Sequence, residues 1–344
     1  MEYEVTIGIP VYNVEKYIRK TLESALAQTF SSIEFLVLDD CGTDASMDIV
    51  RDIQSRHPRG GNIRIVRQQK NSGIGNARNR IVEEAKGFYL YYLDADDTIT
   101  PNAIELLYKN AQKYNADIVY GSYKRIEQFD THVEETAYVY PSLQFLKEYE
   151  FANKVYSDYG FLQATTWNFL IRTDIYKKNG LRYFNINYWE DFLFTMDLPT
   201  YISNAVLLSE ITYFYYCRYG SLSNFGKRDH IEKTEIQETI NAIKQLKRNT
   251  TRIKTMPYFY MRMCKVMMTQ FFMACSILKN KELISPVFSN KEIRDVMCSP
   301  LSFFETLSLT GWKVKNLFLY SLGVLPPFLS VSLIKLIGKY KGLI

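Results

Sequence analysis

Three carboxylates follow directly on an apolar run in this sequence: Asp94, Asp96 and Asp97. Like charges this close repel one another and raise one another's pKa, so a divalent cation with oxygen ligands is a natural compensation. The run before them, residues 88–93, is apolar or aromatic throughout and suits a strand buried on both faces. This pattern predicts a metal site at the carboxyl end of a central strand. The alternative is a solvated turn that leads into a helix at Pro101.

A second group of chemically active residues lies near the middle of the chain. The adjacent acids Glu190 and Asp191 follow two aromatic residues, Tyr188 and Trp189, and precede an apolar helical run. One acid can face a cleft as a general base while its neighbour stabilises the helix N-terminus. A plain N-terminal helix cap gives the same pattern, so both interpretations stay open here.

The elements that position these residues alternate between strand and helix. Strand-like runs occupy residues 5–9, 33–38, 63–67, 88–93 and 117–123, and helical spacing predominates between them. Right-handed crossovers would place the polar loops after the strands on one edge of a parallel sheet, which is a suitable nucleotide pocket. The second half is less regular: residues 138–153 have helical spacing, 173–179 suggest a short helix, and 207–217 suggest a strand pair.

Composition limits the class of protein. The chain has 344 residues, 47% of them hydrophobic, and a formal charge of +5 that is spread along its length, so we expect no nucleic-acid partner. Five scattered cysteines form no Cys-x-x-Cys pair, and the N-terminus does not resemble a signal peptide. We therefore expect a cytoplasmic protein. The three histidines are not spaced for metal binding, which argues against a histidine-based zinc site.

The N-terminal part, residues 3–125, resembles a family 2 glycosyltransferase of the bacterial surface-polysaccharide type through four motifs in order. These are Pro-Val-Tyr-Asn at 10–13, Asp-Asp-Cys-Gly-Thr-Asp-Ala-Ser at 39–46, Asn-Ser-Gly at 71–73 with Ala-Arg-Asn at 77–79, and Leu-Asp-Ala-Asp-Asp at 93–97. The resemblance implies a GT-A fold, which is an α/β fold with a Rossmann-like, mostly parallel nucleotide-binding sheet. The sequence adds a helical C-terminal extension.

The resemblance also implies a reaction and a set of site residues. The reaction is metal-dependent, inverting transfer of a sugar from a nucleotide diphosphate sugar, expected to be a UDP-sugar, to an acceptor hydroxyl. The implied donor-binding residues are Pro10 and Tyr12 beside the base, Asp39 at the base or ribose, Arg78, Asp94, Asp96, and Arg218 at the diphosphate. Asp96 and Asp97 would hold Mg²⁺ or Mn²⁺. Asp191 would be the catalytic base, and Tyr188, Trp189 and Glu190 would bind the acceptor.

Two positions depart from the family pattern. Cys41 stands where the family usually has a glycine, which predicts a stiffer loop beside Asp39. Phe169 follows Trp-Asn where the family has a lysine, so any contact made by that lysine is in doubt.

The predicted domains are a GT-A domain over residues 1–225, divided into a nucleotide-sugar-binding half (1–125) and an acceptor-binding half (126–225), and a helical region over 226–344. Within segment 312–341, 19 uncharged residues separate Lys315 from Lys335. That is close to the roughly 20 residues that span a bilayer, but Pro326 and Pro327 divide the stretch in two. The interpretations are an in-plane contact with anionic lipid on the inner face of the cell membrane, or a helical pair packed on the domain.

The predicted function is sugar transfer to a saccharide or lipid-linked saccharide in the synthesis of a cell-surface polysaccharide or glycolipid. A catalytically silent, membrane-associated subunit that binds nucleotide sugars is one alternative. A nucleotidyltransferase is another, although the Gly-rich loop with Arg or Lys expected after its first strand is absent from the sequence.

Overall fold

The computed structural model of the chain describes residues 2–129, 132–158, 160–186, 189–217 and 230–344. The chain forms two compact units: one comprises Met1–Phe151 with Ala164–Asn224, and the other comprises Ala152–Gln163 with Phe225–Ile344. The domain boundaries that the sequence suggests at residues 125 and 225 stay predictions.

One sheet organises the first unit, and ten strands from the described residues contribute to it. They are β1 (Tyr3–Val11), β2 (Ile33–Asp39), β3 (Ile63–Arg67), β4 (Gly87–Tyr92), β5 (Thr98–Ile99), β6 (Ile118–Gln128), β7 (Val133–Tyr138), β8 (Leu143–Phe145), β9 (Phe169–Arg172) and β10 (Ala205–Cys217). Every residue of β2 is buried, as an apolar run covered on both faces requires.

The order of strands places the carboxylates on one edge. The sheet runs β3-β2-β1-β4-β9-β6-β10-β5, with β7 beside β6 and β8 beside β10. Strands β3, β2, β1 and β4 are parallel, so their carboxyl ends lie on the same edge. Strand β9 lies antiparallel between β4 and β6. The predicted α/β fold is therefore confirmed, with antiparallel strands completing the second half of the sheet.

Seven α-helices lie between the strands of this sheet along the described part of the sequence. They are α1 (Ile18–Leu26), α2 (Ser46–Arg56), α3 (Ile74–Glu84), α4 (Ala103–Lys113), α5 (Glu150–Ser157), α6 (Thr173–Asn179) and α7 (Glu190–Asp197). Helix α1 buries Ile18, Leu22 and Leu26, whose spacing of four places them along one side. Helix α6 covers the residues that the sequence predicts.

Two predictions for the second half are wrong. Residues 138–153 were expected to be helical, but 143–145 form β8, which pairs antiparallel with β10 through Leu143 opposite Leu207 and Phe145 opposite Ala205. The available edge of β10 outweighs the helical spacing of these residues. Residues 207–217 belong to one bulged strand rather than a strand pair.

The second unit consists of helices and one short strand pair in the described residues. The elements are β11 (Ile231–Glu232), α8 (Lys233–Thr251), α9 (Phe259–Lys279), β12 (Ile284–Ser285), α10 (Asn290–Val296), α11 (Phe303–Leu307), α12 (Lys313–Val324) and α13 (Pro327–Tyr340). Helix α9 is central, since it packs against α8, α10, α12 and α13. Its methionines Met261, Met263, Met267 and Met273 are buried, so this apolar helix contributes to the core of the second unit.

The two prolines at 326–327 divide the C-terminal apolar stretch into α12 and α13, as the sequence predicts. None of the helices in the described part of the chain combines the length and the apolar character that crossing a membrane requires.

Candidate active site

The ends of β1 and β2 form the first part of the site. Pro10 is buried in β1 opposite Leu38, while the ring of Tyr12 is 46% exposed beyond the end of that strand. Asp39 ends β2, and its Oδ1 accepts a hydrogen bond from the backbone N–H of Cys41 (3.0 Å). The three predicted base and ribose residues therefore lie on one edge of the sheet, with an exposed aromatic ring beside a carboxylate.

Cys41 occupies a conformation that explains why a glycine suits this position. Its φ is +60°, in the left-handed region that glycine adopts without strain. The Sγ–H donates to the carbonyl of Gln68 (3.1 Å), which fixes the side chain. Next to it, Asp40 accepts hydrogen bonds from Ser72 N (3.1 Å) and Gln68 Nε2 (3.3 Å), and burial raises its pKa. The predicted stiff loop is thus held by contacts to the segment after β3.

The carboxylates after β4 have different environments. Asp94 is 24% exposed at its side chain, and burial, with Asp96 adding negative charge, raises its pKa to about 6 despite the opposing effect of Arg78. Asp97 is 1% exposed, and its Oδ2 and Oδ1 accept hydrogen bonds from Tyr213 Oη (2.7 Å) and Tyr216 N (2.8 Å). Burial and its acidic neighbours raise the pKa of Asp97 well above the usual range. These contacts give Asp97 a structural role. Its role as a metal ligand stays a prediction.

Arg78 joins this turn to the second acidic group. Its side chain is 3% exposed, and it forms ion pairs with Asp94 Oδ1 (Nη2, 3.3 Å), Glu190 Oε1 (Nη1, 3.5 Å) and Asp191 Oδ1 (Nη1). The guanidinium also lies over the ring of Tyr183, 5.7 Å from its centroid. Burial alone would lower the pKa of Arg78, but the three carboxylates raise it well above its ordinary value. One buried cation therefore holds three acids from two distant parts of the sequence.

Helix α7 presents the second acidic group. It begins at Glu190 after Trp189, which has a positive φ of 68°, so both acids lie in the first helical turn. Thr166 Oγ1 donates to Asp191 Oδ1 (3.0 Å), the same oxygen that contacts Arg78. Burial first, and then the negative charge of Asp191, raises the pKa of Glu190 to about 7. Among the described residues, no side-chain hydrogen bond caps this helix, and both acids contact Arg78, so a plain helix cap does not account for them.

Glycines of the 71–79 motif position Arg78. Gly73 has a φ of +82° at the N-cap of α3, and a Cβ on Gly75 would lie 2.3 Å from the carbonyl oxygen of Phe184. Asn79 and Tyr183 exchange two hydrogen bonds between the Asn79 side chain and the Tyr183 backbone, each 2.9 Å long. The segment 183–184 thus packs closely on α3, and the absence of a side chain at Gly75 permits this close approach.

Gly75→Ala is expected to lower the free energy of unfolding by about 1–3 kcal/mol, because the new methyl group meets backbone that cannot rotate away. Sugar transfer should also fall, since the displaced segment carries Tyr183 against Arg78. Thermal unfolding and a transfer assay measure the two effects. Gly61→Ala is the matched control, because a Cβ there has no described atom within 4 Å. Equal midpoints for the two variants would contradict the packing argument.

Several residues of the cluster were not predicted. Thr166 and Tyr183 contact Asp191 and Arg78, and Tyr213 supports Asp97 while stacking on Trp167 with ring centroids 4.4 Å apart. Single threonines and tyrosines inside apolar runs give no signal in one sequence. The tryptophan segment of the family pattern could have indicated one of these contacts. Trp167 stacks on Tyr213, and Tyr213 donates a hydrogen bond to Asp97 in the carboxylate turn.

Three predicted site residues need separate mention. Tyr188 and Arg218 lie outside the described residues. Trp189 contacts Phe192, with ring centroids 5.6 Å apart, and lies next to Glu190. Among the side chains that the structure describes, no group of three or more His, Cys, Asp or Glu is arranged to hold a metal ion.

The four motifs agree with comparison to known sequences. A family model described as "Glycosyl transferase family 2" matches residues 6–180. The chain belongs to glycosyltransferase family 2. The match covers the four parallel strands, the carboxylate turn after β4 and the tryptophan segment.

Relatives within family 2 match different shares of the chain. Glycosyltransferase GlyA of Streptococcus pneumoniae is 29% identical over 224 residues, which are 64% of this chain and 31% of GlyA. The cholesterol galactosyltransferase of Borreliella burgdorferi is 27% identical over 71% of this chain and 68% of its own length. Chondroitin synthase of Escherichia coli is 44% identical over 102 residues, 30% of this chain and 14% of the synthase. The chain thus spans less than a third of the length of GlyA.

Solved structures of S. aureus TarS (residues 1–349) resemble the chain in fold. The complex with UDP-GlcNAc superimposes with a TM-score of 0.63 at 18% identity and covers 93% of this chain and 90% of that one. The GT-A fold that the family 2 motifs imply is therefore confirmed.

Proposed function

We propose that the chain is an inverting glycosyltransferase that moves a sugar from a UDP-sugar to an acceptor hydroxyl in the synthesis of a cell-surface polysaccharide or glycolipid. The observation that carries this proposal is the buried Arg78, which brings Asp94 of the carboxylate turn together with Glu190 and Asp191. A donor-side acid and a candidate base are thereby held in one cluster at the edge where α/β sheets bind nucleotides.

The donor is proposed to lie along the carboxyl edge of β1, β2 and β4. Tyr12 has the exposed ring that a nucleotide base can stack on, with Pro10 beside it and Asp39 placed for the base or the ribose. Arg78 and Asp94 face the sugar and diphosphate in this arrangement, with Arg218 as a further proposed diphosphate partner. The names of two similar proteins support a UDP-sugar donor and a carbohydrate product: TarS in complex with UDP-GlcNAc and chondroitin synthase.

Mg²⁺ or Mn²⁺ is the proposed cofactor, with Asp96 as the principal ligand and Asp97 as the second predicted one. The chemistry of the residues fits a hard divalent cation, because Asp96 offers carboxylate oxygens and lies between two further acids in the sequence. When bound, the cation neutralises charge on the diphosphate and makes it a better leaving group.

Asp191 is proposed to take the proton of the acceptor hydroxyl. As that O–H bond breaks, the acceptor oxygen forms its bond to the anomeric carbon, the sugar–phosphate bond breaks on the opposite face, and the nucleotide diphosphate leaves with the bonding electrons. Arg78 and Thr166 both contact Asp191 Oδ1, so they fix the orientation of the carboxylate. Trp189, with Tyr188, would provide an apolar wall for an acceptor sugar, and Glu190 would accept its hydroxyl hydrogen bonds.

The first test is thermal stabilisation of the protein by UDP, and by CDP and ADP as controls of equal charge, each with Mn²⁺ or with chelator. A ligand at one hundred times its Kd adds about 2.7 kcal/mol to the free energy of unfolding. We expect the largest shift with UDP and Mn²⁺, and then transfer from one of a panel of UDP-sugars. A shift with UDP but no transfer from any UDP-sugar would instead favour the catalytically silent subunit, and no shift with any nucleotide would contradict the proposed donor site.

A further inference from the structure

The last two helices have one packed face and one exposed face. In α13 the buried residues are Ser330, Val331, Ile334 and Gly338, on the side that packs against α9 and α10. On the other side, Phe328, Leu336 and Tyr340 are 62%, 67% and 84% exposed. Residues at a spacing of four share one side of a helix, so these three form a single apolar stripe. The stripe is exposed and is not part of the core to which the other side of α13 contributes.

Helix α12, which precedes α13, also exposes apolar side chains. It packs against α13 and buries Leu319 and Leu322, while Val314 and Phe318 are 83% and 41% exposed. We call the exposed set the apolar face; its members are Val314, Phe318, Phe328, Leu329, Leu336 and Tyr340. Scattered apolar residues on a protein surface need no explanation, but a set concentrated on two adjacent helices indicates an interaction site.

The charge around the apolar face has one sign. Residues 306–344 contain five lysines and no acidic residue, and all five lysines are exposed: Lys313, Lys315, Lys335, Lys339 and Lys341. In α13, Lys335 and Lys339 lie on the same side as Phe328 and Leu336. A lysine stem can lie along an apolar surface while its ammonium reaches outward.

Acids on the neighbouring elements do not cancel this charge. Helix α9 contains no acidic residue. In α10 and α11, Glu292, Asp295 and Glu305 form ion pairs with cations outside the apolar face, which are Lys233, Arg294 and Lys254 respectively. The face therefore combines aromatic and aliphatic side chains with an excess of positive charge, since residues 306–344 contain five lysines and no acidic residue.

We propose that the apolar face binds the surface of an anionic lipid bilayer, with α12 and α13 lying in the plane of the interface. Apolar side chains would enter the region between headgroups and acyl chains, and the lysines would meet lipid phosphates. A second copy of the chain suits this surface less well, because it would bring the lysines of both copies together without an acid on either face. The proposal does not depend on the transfer chemistry.

The test is sedimentation of the full chain with phosphatidylcholine vesicles, with and without phosphatidylglycerol. We expect binding to the anionic vesicles that weakens as salt rises. Phe328→Ser with Leu336→Ser should lower the partition coefficient by about tenfold or more, since both side chains lose apolar burial. Lys335→Glu with Lys339→Glu should lower it by a similar factor at low salt and by less at high salt.

The matched control is Val287→Ser with Lys281→Glu, two exposed positions of the second unit outside the apolar face. This variant should bind as the unchanged protein does. All the substituted side chains are exposed, so thermal midpoints should stay the same and would reveal any misfolded variant. Binding that is equal with both vesicle types, or insensitive to both double substitutions, overturns the proposal. So does a stable dimer in lipid-free solution that the Phe328/Leu336 variant abolishes.

Discussion

Asp191→Asn is expected to lower sugar transfer by about 10²- to 10⁴-fold while leaving the binding of UDP and Mn²⁺ close to that of the unchanged protein. An asparagine has the same shape, and its Oδ1 still accepts hydrogen bonds from Arg78 and Thr166, so the cluster keeps its geometry. What it loses is the ability to take a proton. General-base catalysis contributes about 10² to 10⁴ to a rate, and the loss should fall in that range.

Asp174→Asn is a suitable control for this variant. Asp174 is also a partly buried acid in an ion pair, with Arg172 and Lys178, but it lies on α6 outside the Arg78 cluster. Donor binding is measured by thermal shift and transfer by release of UDP in the presence of acceptor. Transfer within tenfold of the unchanged protein would remove Asp191 from the role of base. Loss of UDP binding would indicate that Asp191 mainly supports the donor pocket.

Asp96→Asn should remove the metal-dependent part of UDP binding. The stabilisation by UDP would then be the same with Mn²⁺ and with chelator, because a neutral amide is a poor ligand for a hard divalent cation. Transfer should fall by about a hundredfold or more, since the leaving diphosphate loses several kcal/mol of charge neutralisation. An unchanged difference between Mn²⁺ and chelator would contradict the assignment.

Asp97→Asn distinguishes between two roles of Asp97, as a metal ligand or as a structural acid. Both Asp97 oxygens accept hydrogen bonds within the protein, so this variant should lower the free energy of unfolding by about 1–3 kcal/mol without any ligand. If Asp97 is structural, the remaining folded protein still shows the extra shift with Mn²⁺. If that shift is lost as it is for Asp96→Asn, both carboxylates hold the metal.

Much of the first half could be predicted because its signals are local. Strands β2 and β3 match the expected ranges to within one residue, since apolar runs bounded by polar loops leave little choice of register. The carboxylates follow the strands directly, so knowing that the strands are parallel was enough to place Asp39 and Asp94 on one edge. The same local reasoning identified Glu190 and Asp191 as the start of a helix.

The contacts that make the cluster could not be predicted in this way. Arg78 and Asp191 are 113 residues apart in the sequence, and no periodicity links them. The family resemblance implied that Arg78 lies near the donor but did not predict its ion pair with Asp191, the proposed catalytic base. In residues 143–145 the local signal was misleading, because pairing with β10 decided the conformation.

Strand β9 determines when the edge of β4 is covered during synthesis. It is only four residues long and comes late in the chain, yet it lies between β4 and β6 and hydrogen-bonds to both. Until the ribosome has released residue 172, the edge of β4 has no partner beside it, although all four parallel strands already exist. At roughly 5–20 residues per second, the unpaired edge would persist for several seconds in the growing chain. The first 125 residues therefore carry most of the donor motifs but do not form a complete folding unit, and a fragment ending there would expose an edge prone to aggregation.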